Sequence, residues 1–385
     1  MEKFSAYRDP GTGIQPFLRP VPPQESASSV AIILAPLLYA LSTIRALLVI
    51  CLTIIYVLLT KVIFIVLFPL APLHRLATRY VTAVVARLTL FTVGLYWIPV
   101  EVVKRRKGRI ASHEKWSPKP GDLIVSNWVS WLEVLWLVYR FDPMFILPLG
   151  IPLETSESSV PASPRTTPGR RTGTGSAGIS ATPVRAPSER AEITGFVEAS
   201  LLRIVSLTGN VPPFGNRDKL ESLKSLEDLR LKAKSAGRPI VVFPECTTSN
   251  GRGILRFGNV FKGISASSLK FTVFIMCARI DPPSAFAPTL SLSIPSAFLN
   301  PLSHIFSIAS SPLPRAMSIR LLSPSDSPGS STFQLNEFAN SIGGNSDSLA
   351  SICATLMGDI GRMKQVGLGW EDKTRFFDFF KSKRS

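Results

Sequence analysis

The chain is 385 residues long, enough for one large domain or two smaller ones with an ample apolar core. Its 43 Lys and Arg against 26 Asp and Glu leave a net charge of +17, which favours an anionic partner, either nucleic acid or an anionic membrane surface. Four scattered cysteines with no CxxC pair argue against zinc and against a disulfide framework and fit a reducing compartment, while only three histidines limit imidazole chemistry.

Met1–Ser29 is polar, rich in Pro and Ser, and reads as a disordered tail. From Val30 to Leu73 the chain is apolar, interrupted by the charges of Arg45 and Lys61 alone. Ala46–Thr60 together with Val62–Leu70 is long enough to cross roughly 30 Å of hydrocarbon as a helix. Residues 30–72 are therefore expected to form a membrane anchor, and Pro36 and Arg45 leave both a single span and a hairpin open. The run starts too late and is too long for a signal peptide, and it lacks a small-residue cleavage site.

His74, Arg75 and Arg79 follow at once, and Lys104–Lys107 and Arg109 come after an amphipathic stretch, Tyr80–Val100. Such basic flanks favour the cytosolic side, where each charge adds about 1 kcal/mol of attraction to anionic headgroups. Five of the six tryptophans, Trp97, Trp116, Trp128, Trp131 and Trp136, fall in this region, as in an interfacial belt. The basic surplus thus reads as membrane-facing. No nucleic-acid motif accompanies it, so no nucleic-acid partner is expected.

Residues 73–322 alternate in period. Asp122–Val125 predicts a strand, Ser130–Arg140 a helix and Phe145–Leu149 a strand. Pro152–Arg190, nearly devoid of large apolar residues, reads as a disordered insertion. Beyond it, Ile193–Leu207 predicts a helix, Gly209–Arg217 a loop and Leu220–Ser235 an amphipathic helix. Ile240–Phe243 and Phe271–Ile280 predict buried strands, with a late strand within Leu313–Leu322. Residues 323–385 read as an extension: a loop over Ser323–Asn345, then a terminal helix over Lys373–Lys381 and a basic tail. The alternation implies an α/β domain with a largely covered sheet.

Two strand ends carry polar turns: DLIVSNWVSWLEVLW over Asp122–Trp136, and PIVVFPECTTSNGRGILRF over Pro239–Phe257. Ligands of α/β sheets gather at the carboxyl ends of strands, so the two turns can face one cleft. Ser130-x-x-Glu133 before an apolar run is also a helix capping box, a purely structural reason for both residues. Arg252 and Arg256 add positive charge beside turn amides, a cradle for a phosphate.

The second turn resembles the FPEGTTSNG motif of the glycerolipid acyltransferases through Phe243, Pro244, Glu245, Thr247, Ser249, Asn250 and Gly251. The likeness covers about Tyr80–Leu322. It is closest to the fungal lysophosphatidate acyltransferase branch also associated with vacuolar sorting. In that family the first turn reads Asn-His-x-Ser-x-x-Asp, its histidine deprotonating the acceptor hydroxyl and its aspartate orienting the imidazole. Here the frame reads Asn127-Trp128-Val129-Ser130-Trp131-Leu132-Glu133, so an indole stands at the base and a glutamate at the acid.

The resemblance implies a mixed sheet with flanking helices behind the membrane segment, and acyl transfer from acyl-CoA, as co-substrate, to lysophosphatidic acid. It requires no cofactor and no metal. Glu133 and Asn127 stand as the catalytic candidates, Glu133 as a substitute base. Ser130, Arg217, Glu245, Thr247, Thr248, Asn250, Gly251 and Arg252 stand as substrate-binding candidates, with Arg217 as phosphate ligand and Glu245 and Thr247 on the glycerol phosphate.

Two alternatives stay open: another lysophospholipid acceptor such as lysophosphatidylcholine, or a lipid-binding or sorting protein that kept the fold and lost the base. Cys246 stands where the family has glycine, which predicts strain if the position has positive φ. The family, and a dilysine pattern at Lys381 and Lys383, imply an endoplasmic reticulum membrane or lipid-droplet protein with a cytosolic domain.

Overall fold

A computed structural model describes residues 4–22, 29–105, 115–150, 190–214, 224–266, 269–284, 286–338 and 347–382, with side chains of the first long helix described from residue 33. The expected insertion, Arg217, His113 and Lys383 lie outside the described residues.

Helix α1, Ser29–Lys61, is apolar all round rather than striped. It continues unbroken through Pro36 and Arg45, so the chain reverses only after Lys61. Over Ile33–Leu67 it is long and apolar enough to cross a membrane, with a mean hydropathy of 2.7, and hardly any of that stretch is covered by protein. Ser42, Ala46 and Val49 are its buried contacts with the body. The charge of Arg45 is met by the Ala309 and Ser311 carbonyls, at 3.1 and 2.7 Å, where a later helix ends. Helix α2, Ala71–Thr92, packs back on α1. Leu73, Leu76, Tyr80, Val84, Leu88 and Phe91, spaced three or four apart, form an exposed apolar stripe along it.

Seven strands form one mixed sheet in the order β1-β7-β6-β2-β5-β3-β4. They are β1 Val100–Val103, β2 Leu123–Ser126, β3 Met144–Gly150, β4 Ile193–Ala199, β5 Ile240–Val242, β6 Val273–Ile280 and β7 Met317–Leu322. β2 is central, parallel to β5 on one side and β6 on the other. Its LIVS sequence is apolar on both faces because helices cover both.

The faces separate by parity. Ile124, Val241, Phe145 and Phe274 face α2 and helices α3 (Leu132–Phe141), α4 (Leu201–Leu207) and α6 (Leu302–Ala309). Leu123, Val125, Val242 and Ile275 face α5 (Leu226–Ser235) and α7 (Ser348–Gly361). Helix α8, Trp370–Ser382, closes the described chain.

Several expectations need correction. Ile193–Leu207 is not one helix: Ile193–Ala199 is strand β4, antiparallel to β3, and Ser200 caps α4 by accepting from the Arg203 amide. Thr194, Phe196 and Val197 fit a pleated edge, and Ser200 ends it. The strand β1 was not anticipated at all. Residues 4–22 were expected to be disordered, yet Tyr7 and Phe17 are buried with Leu255, Val366, Leu368 and Phe376 in a third apolar cluster. The segment 347–382 is not an appendage, because α7 packs directly on β6 and β7.

Candidate functional site

β2 and β5 are parallel and in register, Val125 opposite Val242, so their carboxyl ends deliver Asn127 and Phe243 side by side. The turns touch: the Ser249 amide donates to the Trp128 carbonyl at 3.0 Å. The two turns are packed against each other, with Asn127, Ser130, Glu133, Glu245, Thr247 and Thr248 all buried.

Asn127 extends the sheet. Its Nδ2 donates to the Ala278 carbonyl at 2.9 Å and its Oδ1 accepts from the Ala278 amide at 2.7 Å, a side-chain continuation of the β2–β6 pairing. Trp128 is fully buried, stacked on Phe243 with ring centroids 5.0 Å apart. Ser130 is buried with its hydroxyl unpartnered, so the capping box forms only on one side. That side is Glu133, whose Oε1 accepts from the Val129 and Ser130 amides at 2.5 and 2.6 Å. Its Oε2 is buried without a partner. Burial pushes the Glu133 carboxyl up to about 7, against the pull of those amides.

In the second turn, Glu245 is wholly buried and neither carboxylate oxygen has a hydrogen-bond partner. Burial raises its proton affinity well above the carboxylate range. The Leu255 and Trp128 amides oppose this without reaching hydrogen-bond geometry, and the charge of Glu133 adds to it. Both carboxyls are thus buried, each with its proton affinity raised chiefly by desolvation, and the charge of Glu133 adds to the rise at Glu245.

Cys246 adopts φ 56, the strained conformation expected of a non-glycine at that position. Gly251 has φ 74, and a Cβ there would stand 3.0 Å from Val129 Cγ1, so the turn needs glycine for both reasons.

Thr247 Oγ1 donates to the Asn210 carbonyl at 2.6 Å, and Thr248 Oγ1 to the Leu292 carbonyl at 2.5 Å. Asn250 points to the amino-terminal segment: its Nδ2 donates to the Gln15 and Leu18 carbonyls and its amide to Pro16. Arg252 is exposed, while Arg256 pairs with Glu371 at 3.3 Å. The structure thus gathers Asn127, Ser130, Glu133, Glu245, Thr247, Thr248 and Gly251, whereas Asn250 and Arg252 face elsewhere.

One site residue was missed. Lys373 of α8 is fully buried and donates from Nζ to Thr247 Oγ1 and to the Thr248 carbonyl, both at 2.8 Å. Burial lowers its pKa well below the usual lysine range, and the charge of Glu245 opposes that. A cation on a late amphipathic helix carries no local sign that it faces a loop over a hundred residues earlier.

His304 is no base for this site. Its Nδ1 accepts from Trp131 Nε1 at 3.1 Å and its Nε2 sits 3.2 Å from the Thr289 carbonyl, which fixes a neutral tautomer. Burial lowers its pKa to about 3. Among the described residues no cluster of three His, Cys, Asp or Glu is placed to hold a metal ion. No family model, curated protein or solved structure matches the chain.

Proposed function

We propose that this is a membrane-bound acyltransferase that moves an acyl chain from acyl-CoA to the free hydroxyl of lysophosphatidic acid, giving phosphatidic acid. The observation that carries the reading is Glu133: one oxygen held by two amides, the other free, with a proton affinity near neutrality beside Glu245. A general base works best when its pKa lies near the working pH.

In this reading Glu133 Oε2 takes the acceptor's hydroxyl proton as that oxygen bonds to the thioester carbon. The C–S bond then breaks, and the CoA thiolate leaves and regains the proton. Glu245, held protonated, donates to an acceptor oxygen instead of repelling the phosphate. Substrates enter when residues 15–18 leave Asn250. The apolar surfaces of α1 and of the α2 stripe set the protein on the endoplasmic reticulum or lipid-droplet surface, with the catalytic domain in the cytosol.

The test is acyl transfer by microsomes from a host lacking its own enzyme, supplied with lysophosphatidic acid and oleoyl-CoA. Formation of phosphatidic acid above the empty host is expected; none sinks the proposal. Lysophosphatidylcholine in the same assay separates the two acceptors.

A second reading is favoured by Trp128 and Lys373, which fill the site with an indole and an internal cation. On it, the protein binds phospholipid for transport or sorting without acylating it. Phosphatidate retention with no transfer to any acceptor is its signature.

A further inference from the structure

A cleft lies at the amino ends of β3 and β5, at the opposite end of those strands from the Glu245 turn, and an apolar slot adjoins it. The cleft, of about 610 Å³, lies between α2 and the turns flanking β3 and β4. The slot, of about 70 Å³, lies between α1, α2, α3, α4 and α6, with Val49, Ala86, Leu135 and Ile305 among its walls. Tyr56, Thr82 and Leu201 line both, so the slot continues from the cleft.

The charges of the cleft are unevenly committed. Arg238 is spent on Asp142 and Pro143: its Nε donates to the Asp142 carbonyl and its Nη2 to Asp142 Oδ1 and the Pro143 carbonyl, at 2.8–2.9 Å. Glu198 is taken by Lys232 at 2.5 Å. Arg75 and Arg79 are exposed on α2 with no hydrogen bond to another described residue, and Arg79 acts only at longer range on the Asp142 carboxylate that Arg238 already holds. Thr78 Oγ1 lines the same cleft, withdrawn from water and without a partner. Two open guanidinium forks and a hydroxyl therefore stand over an apolar slot whose wall is the lipid-facing helix α1. A guanidinium fork matches phosphate oxygens bidentately.

We propose that this cleft and slot hold an anionic phospholipid taken from the bilayer, its phosphate on Arg75 and Arg79 and the first part of an acyl chain between α1 and α2. The ligand is a lipid and not free phosphate, because the slot continues from the cleft and the apolar faces of α1 and α2 adjoin it. The inference rests on α1 lying in a membrane and not on acyl transfer: Trp131 and Leu135 of the first turn line the slot, but Glu133, Glu245 and the second turn line neither space.

Full-length protein in phosphatidylcholine nanodiscs doped with phosphatidic acid, with no acyl-CoA, tests it by scoring the retained lipid after delipidating washes. Wild type is expected to retain phosphatidic acid over phosphatidylcholine. Arg75→Gln with Arg79→Gln is expected to weaken that retention about thirtyfold, the effect of two juxtamembrane charges. Lys115→Gln with Lys364→Gln, exposed cations away from the cleft, is expected to leave it intact.

Equal loss in both double variants overturns the site in favour of diffuse surface charge. Displacement of the lipid by inorganic phosphate as readily as by dihexanoyl phosphatidic acid overturns the chain-binding slot. Carbonate extraction of the same membranes reads the α1 premise separately, so its failure is distinguishable from failure of the cleft.

Discussion

Lys373 and Thr247 are joined by a 2.8 Å hydrogen bond that ties α8 to the turn following β5, with the ammonium fully enclosed. The same Nζ satisfies the Thr248 carbonyl. An enclosed amine is tolerated only when its donors are hydrogen-bonded, and the Thr247 hydroxyl and the Thr248 carbonyl meet two of them.

Lys373→Met keeps most of the volume and removes the charge, which leaves the Thr248 carbonyl without its donor. A loss of about 1–3 kcal/mol is expected from that orphaned group. The coupling to Glu245 is read by a thermal-denaturation cycle with Glu245→Gln in detergent. A coupling of about 0.5–3 kcal/mol is expected for interacting neighbours, and additive losses contradict it.

Glu133→Gln preserves an oxygen acceptor for the Val129 and Ser130 amides but removes the base. Acyl transfer is expected to fall about 10²–10⁴-fold, with the melting temperature at pH 5 nearly unchanged. Wild-type turnover should rise as pH passes about 7 and then level, because only the ionised carboxylate accepts the hydroxyl proton. A rate that ignores both the substitution and the pH removes Glu133 from the chemistry.

The same group sets a pH dependence of stability. Its folded pKa, about 7, lies above its ordinary 4.5, so the folded state holds the proton more tightly than the unfolded one. That contribution is complete below about 4.5, fades as pH rises through about 7, and amounts to something on the order of 3 kcal/mol. Wild type should therefore lose stability relative to Glu133→Gln between pH 5 and pH 8. A constant difference across that range contradicts the buried carboxyl assignment.

At Cys246 two truncations separate packing from strain. Cys246→Ala and Cys246→Gly both delete the sulfur packed beside Gly258, but only glycine relieves φ 56. The glycine variant is expected to be the more stable of the two by about 1 kcal/mol. An alanine variant as stable as the glycine one argues that the backbone there is unstrained.

Asn250→Ala removes two of the three hydrogen bonds that hold residues 15–18 to the turn, sparing the amide bond to Pro16. Protease cleavage within residues 4–22 is expected to quicken several-fold while the sheet stays protected. Unchanged cleavage shows that Phe17 and Tyr7 packing alone secures the segment.

Much of this site was legible locally. Strands β2, β5 and β6 announce themselves by short apolar runs, and the cysteine at a family glycine position flags 246 for strain on condition of a positive φ, which the backbone has. What escaped was set at long range. Ile193–Ala199 looks helical by composition and becomes a strand because β3 offers an edge to pair with. Phe4–Pro22 lacks periodicity, so its order comes from distant partners: the apolar cluster beside α8 and the hydrogen bonds to Asn250 and Gly367. Asn127 reads as catalytic by its place in a motif, yet both atoms of its amide are spent on Ala278. The burial of Lys373 depends on a helix packing that no window of sequence contains.

The amino-terminal segment has a consequence for biosynthesis. Tyr7 donates its hydroxyl hydrogen to the Arg375 carbonyl across 368 positions of chain. The rings of Phe4, Tyr7 and Phe17 pack against Phe376, which leaves the ribosome long after α1 has been made. Residues 4–22 therefore cannot complete this packing until α8 has been made, and a nascent chain halted before α8 lacks both Lys373 beneath the Thr247 turn and the Phe376 ring. Assembly of this site therefore depends on the synthesis of α8, which makes that step a natural point for chaperones and quality control to inspect.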